Sequence, residues 1–153
     1  MSESEEIFIT GFDPGATTGY AIISVLNKKI TPLDIGQSTD PTLQDLIPHI
    51  ERSSIIILEG FWVNPQKARK GHFDYDNMVA PRVIGALQYK AQELGKQVVI
   101  QPAAIKPVGF GFSGRDYVKG KKNQHQWDAL AHAVYYAVKV LHASPVSKIP
   151  EKF

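Results

Sequence analysis

The chain is expected to fold as an α/β protein in which a five-stranded mixed sheet is flanked by helices. Apolar, β-branched runs recur at 7–12, 20–26, 30–36, 55–58 and 97–101. Stretches with apolar residues at helical spacing alternate with the later runs, giving strand, strand, strand, helix, strand, helix, strand, helix. At 153 residues, 43% hydrophobic and 21% charged, the chain can bury one good core and is short for two, so one domain is expected.

Each element has its own signal. The first two strands flank Asp13-Pro14-Gly15-Ala16-Thr17-Thr18-Gly19, turn residues throughout, and so form a hairpin. Thr42 can cap a helix running to about Ser53, with Leu43, Leu46, Ile47 and Ile50 on one face and Pro48 as an interior breaker. Ile55-Ile56-Ile57-Leu58 lacks polar alternation, which fits a strand covered on both faces. Residues 60–76 read as a polar loop bearing aromatics, and a helix over 77–94 ends at Gly95 as its cap. After the strand at 97–101, residues 102–123 carry Gly109, Gly111, Gly114 and Gly120 among basic residues and are expected to be loop. The last helix spans 124–141, and segments 1–6 and 145–153 are expected to fray.

Composition narrows the chemistry. The absence of cysteine removes disulfides, thiolate zinc sites and thiol nucleophiles, and fits a reducing compartment. The acidic start Met1-Ser2-Glu3-Ser4-Glu5-Glu6 lacks the regions of a signal peptide, and no apolar stretch approaches membrane-spanning length, so a soluble intracellular protein with no membrane partner is expected. The net charge of +2 is unevenly spread: residues 1–60 hold three Lys/Arg against nine Asp/Glu, 61–100 six against three, and 101–153 eight against three. Lys67, Arg69 and Lys70 form one basic cluster, and Arg115, Lys119, Lys121 and Lys122 form another, where a polyanion would need neutralising.

Four residues of metal-binding type stand where such a fold gathers ligands. Asp13 and Glu59 end the first and fourth strands, and His125 and Asp128 lie three apart at the start of the last helix, sharing a face. Glu59 directly follows four buried aliphatics, so its carboxylate needs solvent or a partner. His132, one turn beyond Asp128, is assigned a supporting or packing role.

The order of elements is that of the ribonuclease H-like fold. Gly11-Phe12-Asp13-Pro14-Gly15, Thr18-Gly19-Tyr20-Ala21, Leu58-Glu59-Gly60-Phe61-Trp62 and Arg82-Val83-Ile84-Gly85 are followed by Pro102-Ala103-Ala104-Ile105-Lys106, Gly109-Phe110-Gly111 and His125-Gln126-Trp127-Asp128-Ala129. Together, in order, these motifs resemble the RuvC-type Holliday junction resolvases from Ile7 to about Ala143. The resemblance implies an endonuclease of a bacterium or phage-infected cell that nicks four-way DNA in pairs, leaving 5′-phosphate and 3′-hydroxyl ends. It implies two Mg²⁺ or Mn²⁺ ions held by Asp13, Glu59, His125 and Asp128, with no nucleotide cofactor. His125 stands where many members have aspartate, which bears on metal preference. A base-stacking aromatic is implied at Trp62, with Phe61 beside it. Paired nicks on a near-two-fold junction call for a homodimer, and the helix at 77–94, with Met78, Val79, Val83, Leu87 and Tyr89, is its expected contact. Two other readings are weaker. The Asp13–Gly19 loop also resembles the phosphate loop of actin-like kinases, but those need two such domains, and four intact ligand positions argue against a silent junction-binding protein.

Overall fold

A computed structural model describes residues 5–61, 78–116, 122–146 and 149. Five strands, β1 (Ile7–Asp13), β2 (Thr18–Leu26), β3 (Lys29–Ser38), β4 (Ile55–Glu59) and β5 (Gln97–Gln101), form one sheet in the order β3-β2-β1-β4-β5. The pairs β1–β2 and β2–β3 are antiparallel, and β1–β4 and β4–β5 are parallel, so the sheet is mixed as expected. Asn27 and Lys28, both at positive φ, make the tight turn between β2 and β3. Pro32 lies on the edge strand at a register shift, where the missing N–H breaks no ladder bond to a further strand.

Among the described residues four helices cover the sheet: α1 (Ile47–Arg52), α2 (Val79–Glu93), α3 (Lys106–Phe112) and α4 (Gln124–Lys139). On one face Ile9, Ala21, Ile23, Ile55 and Ile57 pack with Ala129, Leu130, Ala133, Val134 and Ala137 of α4. On the other, Phe12, Ile56 and Leu58 pack with Ile50 of α1 and Val83, Leu87 and Ala91 of α2. The Ile, Leu, Val and Phe side chains among them contribute about 1.5–3 kcal/mol each on burial. Thr10, the one polar side chain of β1 facing α1, donates to the His49 carbonyl (2.9 Å) and meets Ser53 Oγ at 2.6 Å.

Several expectations are corrected. The helix expected from Thr42 is a 3-10 turn at Gln44–Leu46 followed by α1, and Pro48 sits in the first turn of α1, where its missing N–H is harmless, rather than breaking an interior. Thr42 is not the cap; its N–H and hydroxyl both turn to Asp40. The supposed loop at 102–123 contains a 3-10 turn at Ala103–Ile105 and α3. Glycine content argued for loop, yet Gly109 is buried against the Ala131 carbonyl of α4, where a Cβ would not fit, so here glycine permits helix packing. α2 does end at Gly95, whose φ is +73°, with Gly95 N–H bonded to the Gln92 carbonyl and Lys96 N–H to that of Ala91. Within α2, Met78 at its cap and Tyr89 are exposed, but Val83 and Leu87 belong to the core and cannot form a dimer face. Part of the expected frayed tail is packed: Val146 N–H bonds the Phe112 carbonyl, and Ile149 is buried in the core. No helix among the described residues is long and apolar enough to cross a membrane.

Candidate active site

Strand alternation decides where the acidic residues point. In β1, Ile9 faces α4 and Phe12 the opposite core, so Asp13, two residues beyond Gly11, faces α4. In β4, Ile55 and Ile57 face α4 and Ile56 and Leu58 do not, so Glu59 faces α4 as well. β1 and β4 run parallel with Phe12 opposite Leu58, which brings the two carboxylates out side by side at the carboxyl edge. The start of α4 is seated directly on β2, because Gly19 leaves room for the backbone of His125 that any side chain would occupy.

The four residues singled out in the sequence therefore converge. His125 Nδ1 lies 2.8 Å from Asp13 Oδ2. Gln124 Nε2 donates to Asp128 Oδ1 at 2.6 Å, one turn along α4. Between Asp128 and Glu59 stands a residue that the sequence reading did not assign a role: Lys106 Nζ is 2.9 Å from Glu59 Oε1 and 3.4 Å from Asp128 Oδ2. It opens α3, an end at which the helix dipole disfavours a cation, and the two carboxylates offset that. One signal was available in the sequence: an isolated cation between Pro102 and Pro107, just past the carboxyl end of β5. Gln101, which has no role in the sequence analysis either, ends β5 opposite Glu59, and His132, expected to support the site or pack, is fully buried with Nε2 3.6 Å from Glu59 Oε1.

Burial and proximity split the two neighbouring carboxyls. Burial, with Glu59 beside it, pushes Asp13 from 3.8 up to about 7, against the pull of the His125 hydrogen bond. Burial also opposes ionisation of Glu59, but His132, Asp13 and Lys106 together hold it well below the usual carboxylate range. Lys106 is raised above its ordinary value, its desolvation outweighed by Glu59 and Asp128. His125 is raised mainly by its hydrogen bond to Asp13. Two acidic groups are thus crowded together, one kept protonated by burial and the other held ionised by the cations beside it.

The residues expected to contact nucleic acid are less uniformly placed. Phe61 is half-buried just past Glu59, and Lys122 is exposed ahead of α4. The Arg115 guanidinium lies 3.6 Å from the centre of the Trp127 ring, so it is stacked on α4 rather than standing free. Trp62, Lys67, Arg69, Lys70, Lys119 and Lys121 lie outside the described residues.

No protein-family model matches the sequence, and no curated protein does. Solved structures do. Thermus thermophilus RuvC in complex with a Holliday junction substrate superposes with a TM-score of 0.61 over 92% of this chain and 99% of that one, at 17% identity. A second structure of T. thermophilus RuvC gives 0.54 over 91% and 99%, at 18% identity. The Fowlpox virus resolvase with its substrate Holliday junction DNA gives 0.56 over 88% and 99%, at 15% identity. Sheet order, the helices on both faces and these superpositions agree on the fold, an α/β fold of the ribonuclease H-like kind.

Proposed function

We propose that the chain is a divalent-metal-dependent endonuclease that resolves four-way DNA junctions by paired nicks, leaving 5′-phosphate and 3′-hydroxyl ends, in recombination or repair. One observation carries this: Asp13 and Glu59 emerge side by side at the carboxyl edge of a RuvC-type sheet and meet His125 and Asp128 from α4. The neighbours whose structures hold Holliday junction DNA support the substrate class.

Whether the residues suit a metal can be judged from their chemistry. Among the described residues no three His, Asp or Glu side chains surround one ion-sized space. The cause lies in the geometry, since the Lys106 ammonium stands between Glu59 and Asp128 and His125 engages Asp13. Three carboxylates, two crowded enough to raise one of them to about 7, are nonetheless a donor set for hard cations. Mg²⁺ or Mn²⁺, held by Asp13, Glu59, Asp128 and His125, would supply an activated water and compensate charge on the leaving 3′-oxygen, two ions serving both ends of the displacement. The chain's own groups do the rest. Asp13, on the central strand, is the least mobile donor. His125, held through Nδ1, keeps Nε2 to orient water or accept its proton. Lys106 stays protonated and brings fixed positive charge to the phosphate. Lys122 and the basic segments around 67–70 and 119–121 would hold the DNA backbone, with Trp62 and Phe61 against unstacked bases. Opposed nicks call for a two-fold dimer, for which exposed Met78 and Tyr89 remain as apolar contacts.

The test is a titration of Mg²⁺ or Mn²⁺ against a labelled four-way junction, with linear duplex as control. Paired nicks of the junction that vanish with chelator are expected. A shifted but intact junction at every metal concentration contradicts the proposal and leaves only binding.

A further inference from the structure

Behind the carboxylates lies a buried polar chain formed by Gln101 and His132. Gln101 and Glu59 are opposite one another at the ends of β5 and β4, both nearly buried, and fully buried His132 of α4 covers them. Gln101 Nε2 is 3.1 Å from the His132 carbonyl oxygen and 3.0 Å from His132 Nδ1. A carbonyl only accepts, so the amide nitrogen must face it, and the second N–H of the same amide then meets Nδ1, which must accept. The imidazole proton is left on Nε2. That atom is buried without a hydrogen bond among the described residues and lies 3.6 Å from Glu59 Oε1, the oxygen that also meets Lys106. At 3.6 Å this is longer than a formed hydrogen bond. A closure of a few tenths of an ångström would complete it, and an unpaired buried N–H favours that closure.

We propose that His132 is a positioning residue for Glu59: Gln101 fixes its tautomer, and its Nε2–H, with Lys106, pins Oε1 and sets the plane in which the carboxylate meets a divalent cation. The role rests on the nuclease reading of the site. Groups that orient metal ligands in this way are worth 10–100-fold in affinity or rate.

Three measurements test it. Long-range ¹H–¹⁵N spectra of the metal-free wild-type protein should show His132 with Nε2 protonated and Nδ1 bare; the opposite tautomer overturns the proposal at once. Mn²⁺ titration followed by electron paramagnetic resonance should show His132→Leu weakened about tenfold or more, and His132→Gln, which keeps an N–H in the place of Nε2, restored to within a few-fold. Gln101→Met should weaken Mn²⁺ in the same direction and mix the His132 tautomers, so that it decides the matter if His132→Leu fails to fold. Single-turnover nicking of a pre-bound junction should follow the Mn²⁺ affinities, with junction affinity unchanged. Wild-type affinity in His132→Leu, an equal loss in His132→Gln, or wild-type affinity in a folded Gln101→Met sinks the role of His132 alone. A wild-type protein that binds no Mn²⁺ sinks the nuclease reading, and this role with it.

Discussion

Asp13 is held where its ionised form is disfavoured, and stability should report this. The folded carboxyl keeps its proton to about pH 7, against an ordinary value of 3.8, so between these limits the folded state holds more protons and stability falls as pH rises. His125, hydrogen-bonded to the same carboxyl and raised by it, titrates with Asp13 as one pair and adds no separate slope. In metal-free protein the melting temperature should therefore drop by several degrees between pH 5 and pH 8. The Asp13 contribution corresponds to at most about 4 kcal/mol for a shift of roughly three units. Asp13→Asn should flatten the profile and melt higher than wild type at pH 8; a steeper decline in the variant would contradict the assignment. His125 makes a separate prediction. An imidazole suits Mn²⁺ better than Mg²⁺, so wild-type nicking should need less Mn²⁺ than Mg²⁺, and His125→Asp should narrow that gap. Identical metal curves for the two proteins would exclude His125 as a ligand. Asp13, Glu59, His125 and Asp128 were all legible in the sequence, because strand ends and a helix start can be read from local pattern. Lys106 was not, because its role depends on where α3 docks, which no local periodicity states.

At the level of elements, the site is as good as the seating of α4. The chain reaches that seating through small residues: Gly19 gives way to the His125 backbone and Gly109 to Ala131. Gly19→Ala would push against the carbonyl of His125, lifting the start of the helix that carries both His125 and Asp128. A displacement of about 1 Å at a reacting group can cost 10²-fold, and overpacking of this kind costs roughly 1–3 kcal/mol. The variant should remain folded by circular dichroism with single-turnover nicking down about a hundredfold; an unchanged rate would show that α4 need not sit so close. The same glycines explain what was misread. All five strands and the long helices were legible from periodicity, with ends shifted by a residue or two. α3 was missed because glycine signals loop in sequence but also marks close helix packing, and the two are separated only by what lies across the interface. Val83 and Leu87 were read as exposed for a related reason: α2 buries them against α1 and the sheet, a contact set by the tertiary arrangement alone.

Across the whole molecule, catalysis and DNA affinity are expected to reside in different residues. Under the proposed function, chemistry would belong to the acidic cluster at the carboxyl edge and affinity to the basic residues concentrated after position 60, where fourteen Lys/Arg face six Asp/Glu. That separation makes the central claim testable in one comparison. Single-turnover cleavage of a pre-bound four-way junction, with junction affinity measured alongside over a range of salt, should show that Asp13→Asn abolishes nicking in both Mg²⁺ and Mn²⁺ while affinity and its salt dependence stay within a few-fold of wild type. Nicking by Asp13→Asn at the wild-type rate would contradict the account and place the active site elsewhere.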